Sequence, residues 1–138
     1  MRTGKERLAP WQLRRATELM SAKISTSVSL SELAAECGIS ISHFARAFKG
    51  TVGVAPHQWL VRQRMEFAKQ LLSSTRMATV DIALECGFSH RVAFSNAFRR
   101  VVGTNPGEWR RMREARYLTI DEATSHTPAF RKQIDQDV

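Results

Sequence analysis

Acidic residues are what this sequence is short of. It carries 13 Asp and Glu against 21 Lys and Arg in 138 residues, a formal net charge of +8. Such a surplus implies an anionic partner, nucleic acid first and an acidic membrane surface second. The surplus is also unevenly spread: residues 117–138 hold 2 basic and 4 acidic side chains, so the excess sits in the body of the chain. Cysteine is scarce as well. The two present, Cys37 and Cys86, lie 49 positions apart, which excludes a disulfide framework and fits a reducing, cytoplasmic compartment. With no His at ligand spacing from either, no metal site is expected. No apolar run approaches the roughly 18 residues that span a bilayer. The opening Met-Arg-Thr-Gly-Lys-Glu-Arg leads into no signal-peptide core. Gly50-Thr51-Val52-Gly53 lacks the Gly-Lys-Ser/Thr ending of a phosphate loop, and no Ser/His/Asp set stands out. Enzyme chemistry and cofactors are therefore not expected.

What is there is a stretch written twice. Ala34, Glu36, Cys37, Gly38 and Ser40 return 49 residues later as Ala83, Glu85, Cys86, Gly87 and Ser89. Phe44, Ala47, Phe48, Val52, Gly53, Pro56 and Trp59 return 50 residues later as Phe94, Ala97, Phe98, Val102, Gly103, Pro106 and Trp109. One residue has thus been inserted in the second copy between Ser89 and Phe94. Two copies make a duplicated module, not a solenoid.

Periodicity predicts an all-α chain of about seven helices, two helix-turn-helix subdomains joined by a long linker helix. Residues 1–9 read as a loose basic arm. Residues 10–55 form the first module. Its first helix opens at Pro10, where the missing N–H costs nothing. Ser29 with Glu32 makes a capping box for a short helix that Gly38 ends. Ser40 caps a second helix with Phe44, Ala47 and Phe48 turned inward. Gly50 and Gly53 close the unit. Residues 56–73 form the linker helix, about 25 Å long at ~1.5 Å per residue. Residues 74–116 repeat the module, with Phe94, Ala97 and Phe98 inward and Asn105 and Pro106 opening a last helix. Residues 117–138 lack periodicity and read as a disordered tail.

A short helix, a glycine turn and a second helix with a polar outer face describe the unit that holds its second helix against a DNA major groove. Candidates to face the groove are Ser42, Ala45, Arg46 and Lys49 in the first copy, and Arg91, Val92, Ser95 and Asn96 in the second. Arginine can grip guanine O6 and N7 together, Asn can do the same for adenine, and Ala45 or Val92 can meet a thymine methyl. Lys49, Arg99 and Arg100, with Ser95 beside them, are phosphate candidates. A lone outward Arg is usually a solvated charge, which suffices for Arg14, Arg15, Arg113 and Arg116; Arg46 and Arg91 stand out because each lies just after a glycine turn. Trp59, Trp109 and the paired Phe residues read as core, and so do both cysteines.

These residues resemble the DNA-binding domain of the AraC/XylS family of bacterial transcription regulators. The family pattern stands here as Ile82-Ala83, Gly87-Phe88, Phe94, Phe98-Arg99, Gly103, Pro106 and Trp109-Arg110, with a linker pattern at Arg64, Ala68 and Leu71-Leu72. The match covers about residues 10–113. Resemblance implies two reading helices, with Ser42, Ala45, Arg46, Arg91, Val92 and Asn96 at base-contact positions. Asn96 stands where Arg is common, and Arg91-Val92 where Gln or Ser is common, which points to an unusual operator or mainly phosphate contacts in the second module. Expected partners are double-stranded DNA and RNA polymerase, with no membrane, the chain acting as a monomer on DNA. The rival is a basic DNA-packaging protein that binds every duplex alike.

Overall fold

The computed structural model describes residues 6–123. Among them are seven α-helices and no strand: α1 (Pro10–Ala22), α2 (Leu30–Cys37), α3 (Ile41–Val52), α4 (Pro56–Ser74), α5 (Thr79–Glu85), α6 (Arg91–Val102) and α7 (Pro106–Ala123). Three of these helices begin on a proline, as the fixed φ of that residue favours.

Local chemistry explains most of the boundaries. The Ser29 Oγ accepts from the Glu32 N–H at 3.1 Å, while Glu32 Oε1 accepts from the Ser29 N–H at 2.9 Å, so two orphan donors at the start of α2 are satisfied reciprocally. Ser40 Oγ accepts from the His43 N–H at 3.1 Å to open α3. The start of α6 is different: His90 is its cap, with Nδ1 accepting from the Ala93 N–H at 3.3 Å. Asn105 caps α7 through a 2.7 Å bond to the Glu108 N–H. Gly38 (φ 72°) and Gly53 (φ 98°) take the left-handed conformation that ends α2 and α3 without a Cβ penalty.

The chain divides into two compact units. One takes it as far as Arg64, together with Glu85–Gly87; the other takes Met65–Leu84 and the chain from Phe88 on. The division falls inside α4, so the helix expected as a separate linker contributes to both units. Arg64 shows why the first half of α4 belongs to the first unit. Its Nε and Nη2 donate to the carbonyls of Ile24 (3.2 Å) and Thr26 (2.9 Å), tying down the loop between α1 and α2.

In the first unit, Leu8, Ala16, Met20, Leu33, Ala34, Cys37, Phe44, Ala47, Phe48 and Leu60 form the core. Phe44 and Phe48 lie 5.7 Å apart by ring centroid, and Trp59 meets Phe48 edge-on at 6.2 Å. In the second unit Phe94 and Phe98 lie 5.9 Å apart, and Trp109 meets Phe98 edge-on at the same 6.2 Å. The paired Phe residues expected as core are fully buried, and Trp59 and Trp109, expected there too, pack against them half-buried.

Two expectations need correction. The arm is not loose where it is described. Leu8 is buried, its N–H donates to Thr51 Oγ1 at 2.8 Å, and Glu6 pairs with Arg46 on α3, so residues 6–9 pack along that helix; residues 1–5 lie outside the described residues. A single leucine with a core slot to fill, ~1.5–3 kcal/mol of burial, is enough to dock so short a segment. The tail also starts later than expected. Helix α7 runs on to Ala123, because no Gly or Pro interrupts the chain after Gly107 in that helix. The rest of the expected tail, 124–138, lies outside the described residues.

Candidate nucleic-acid interface

Burial sorts the faces of α3 and α6 cleanly. Phe44, Ala47 and Phe48 are wholly buried on one side of α3, and Phe94, Ala97 and Phe98 occupy the equivalent side of α6. That fixes what each helix turns outward. On α3 the row is Ser42, Ala45, Arg46 and Lys49; on α6 it is Val92, Ser95, Asn96 and Arg99, the same i, i+3, i+4, i+7 spacing. Ser42, Arg46, Lys49, Arg91, Val92, Asn96, Arg99 and Arg100 are exposed, and Ala45 and Ser95 are half-buried at the edge of the row. Each helix thus brings its own candidates onto a single face. Val92 is 61% exposed within that row.

The two faces differ in charge. Helix α6 holds Arg91, Arg99 and Arg100 and no acidic residue; the last two sit in its final turn, where cations favour the helix dipole. Among the described residues none of these three has an ion-pair partner. On α3 the prominent cation does have one: Arg46 Nε donates to Glu6 Oε1 at 3.0 Å. Sequence reasoning missed Glu6 altogether. A signal was present in Gly50, a glycine with no turn to make. It lies within α3, and a Cβ there would overlap the Glu6 carbonyl oxygen, so the helix keeps a glycine where its neighbour's backbone comes close.

The remaining candidates resolve quickly. Arg15, expected to be solvated, pairs with Glu36 at 2.7 Å, and Arg113 lies over the Trp109 ring at 5.6 Å. Both cysteines are buried. Burial pushes the Cys37 thiol up and the Cys86 thiol up to about 12, which keeps both in the unreactive thiol form. Among the described residues no three His, Cys, Asp or Glu converge as metal ligands, and no helix is long and apolar enough to cross a membrane.

Residues 33–112, from α2 to the middle of α7, match a family model described as a helix-turn-helix domain. The chain belongs to the AraC/XylS family. It is 36% identical over 83 residues to the probable transcriptional regulator LumQ of Photobacterium leiognathi, a stretch covering 60% of this chain and 34% of that protein. It is 37% identical over 81 residues to the HTH-type transcriptional regulator ExsA of Pseudomonas aeruginosa, covering 59% of this chain and 29% of ExsA. The matched stretch is thus about a third of the length of these curated relatives. Among solved structures, the DNA-binding domain of AdpA in complex with a target DNA superimposes with a TM-score of 0.70 at 30% identity, covering 76% of this chain and 94% of that domain. An AraC-type regulator from Chromobacterium violaceum gives 0.69 at 34% identity, covering 74% and 91%.

Proposed function

We propose that this chain is the sequence-specific, double-stranded-DNA-binding part of a transcription regulator, with α3 and α6 read into successive major grooves on one face of the duplex. The observation that carries this reading is the paired outward rows, 42/45/46/49 and 92/95/96/99, on helices whose opposite faces are sealed in aromatic cores. Membership of the AraC/XylS family and the likeness to a domain solved with its target DNA support it. Ser42, Ala45, Arg46, Arg91, Val92 and Asn96 contact bases; Lys49, Ser95, Arg99 and Arg100 contact phosphates. The chain works without catalysis or cofactor, as a monomer in the cytoplasm, and acts on RNA polymerase. Two reading helices in one chain need no palindromic operator.

Selection from a random duplex pool tests this directly. The expected product is two short conserved blocks with centres about one helical turn, ~10–10.5 base pairs, apart. A lone short block would overturn the paired geometry, and no consensus, with one affinity for every duplex and a steep salt slope, would support the packaging rival instead. Within the preferred site, Arg46→Ala should cost about 1–3 kcal/mol and flatten preference at one base position. Loss spread evenly over unrelated sequences would leave Arg46 a phosphate contact.

A further inference from the structure

The carboxylate on the reading face of α3 is the least expected feature of the molecule. An acid there faces the same phosphates that the +8 chain is proposed to approach, and costs binding wherever it is left. Nor is it a side chain that merely drifted onto a cation. Its backbone is fixed independently of the ion pair: Leu8 is buried in the core two residues later, the Leu8 N–H is held by Thr51 Oγ1, and the Glu6 carbonyl lies over Gly50. The segment is docked, and Glu6 is delivered to Arg46 by it.

We infer that Glu6 is a positioning residue for Arg46, orienting the guanidinium so that Arg46 discriminates guanine from the other bases; this rests on the reading of Arg46 as a base contact. A guanidinium carries one donor at Nε and two at each Nη. Glu6 takes the Nε donor at 3.0 Å, and the two Nη groups have no hydrogen-bond partner among the described residues. Those are the donors that a bidentate grip on O6 and N7 uses. Holding the stem before DNA arrives reduces the rotamer freedom that a long side chain surrenders on binding. The same negative charge weakens non-specific attraction to the backbone. Both effects push one way, towards a larger ratio of specific to non-specific affinity. In the second module Asn96 and Arg100 occupy the places of Arg46 and Gly50, so that module has neither the arginine to brace nor the glycine that admits a bracing segment.

The test is base preference at the position Arg46 reads, measured with the full chain by competition among single-base variants of its selected site, beside affinity for unrelated duplex. Glu6→Ala should lower preference at that position about two- to fivefold, the range an exposed ion pair supports, while affinity for unrelated duplex holds or rises. Glu6→Gln keeps an acceptor for Nε and should retain more of the preference than Glu6→Ala. In an Arg46→Ala background Glu6→Ala should change preference no further, since the pair is already broken. If both Glu6 variants instead bind every duplex tighter with preference intact, the carboxylate is only a repelling charge and the inference is overturned. Unchanged preference overturns it equally. Should Arg46→Ala itself leave preference intact at every position, the base-reading role of Arg46 fails first and takes this inference with it.

Discussion

The two copies of the module agree in their interiors and disagree on their surfaces. Phe44, Phe48 and Trp59 are matched by Phe94, Phe98 and Trp109 with the same edge-on 6.2 Å ring contact, while Ser42, Arg46 and Gly50 are matched by Val92, Asn96 and Arg100. Packing at crystal-like density tolerates few changes, because each lost or added methylene leaves a void or a clash. An exposed row on a helix feels no such constraint, so after duplication it is free to follow whatever each copy must recognise. The difference therefore marks the surfaces where the copies do different work. It also shows a cost: by keeping Gly50, the first copy gives up some helix propensity, ~1 kcal/mol against Ala, and receives a docked segment in return.

If the cores are equivalent, they should fail equally. Phe48 and Phe98 are both fully buried at the centre of their ring clusters. Phe48→Ala and Phe98→Ala should each cost about 3–5 kcal/mol, the largest effects expected in this molecule, read as the loss in urea unfolding free energy. A difference of more than ~2 kcal/mol between them would break the comparison, since it would mean one core collapses around the void and the other does not.

Much of this was legible in the chain itself. The duplicated spacing, the Ser29–Glu32 and Ser40 caps, the glycine stops and the buried Phe pairs are local signals, each written within a few residues of the structure it makes. What was not legible depends on contacts between residues some 40 positions apart. Glu6 meets Arg46 and Leu8 meets Thr51 at separations of 40 and 43, and nothing in the composition of a basic arm names either partner. Gly50 was misread for the same reason: beside Gly53 it looks like part of a turn, and only the Glu6 backbone explains it. The start of α6 shows a subtler limit. The inserted residue moves the cap from a serine to His90, a substitution that cap preferences would not have chosen. As for the reading rows, periodicity placed every candidate on an outward face, but periodicity carries no information about which cation has a carboxylate beside it.

Gly50 and Arg100 provide a sharper contrast than the cores. Gly50→Ala must lift residues 6–9 off α3, losing the Leu8 burial worth ~1.5–3 kcal/mol and regaining ~1 kcal/mol of helix propensity, a net loss of about 1 kcal/mol. Cleavage of the N-terminal segment by protease should become easier in the same variant. Arg100→Ala, at an exposed position of α6, should stay within ~0.5 kcal/mol in stability. Weaker DNA binding in Arg100→Ala with unchanged folding would match its assignment to phosphate. Equal destabilisation by the two changes would mean that the segment does not depend on the glycine.

The smallest contrast lies at the first helix of each module. α2 has a complete capping box, whereas Ala78, in the place of Ser29, offers α5 only its carbonyl to the Ile82 N–H at 3.0 Å. Ser29→Ala should cost about 1 kcal/mol, and Ala78→Ser should gain a similar or smaller amount, each read as amide hydrogen exchange in its own helix. Acid should narrow this contrast. The Ser29 backbone N–H, and then Lys23, hold the Glu32 carboxyl below its ordinary value of 4.5. A lowered folded value means the unfolded chain takes the proton first, so the stabilisation is complete above pH 4.5 and is lost as pH falls through the folded value. Protection of the α2 amides, taken relative to the intrinsic exchange rate at each pH, should therefore fall in acid from its value at neutral pH, and Glu32→Gln, which has no carboxyl to titrate, should remove that fall. An acid limb that survives Glu32→Gln would move the effect to another carboxyl and leave the two helix starts distinguished by Ser29 alone.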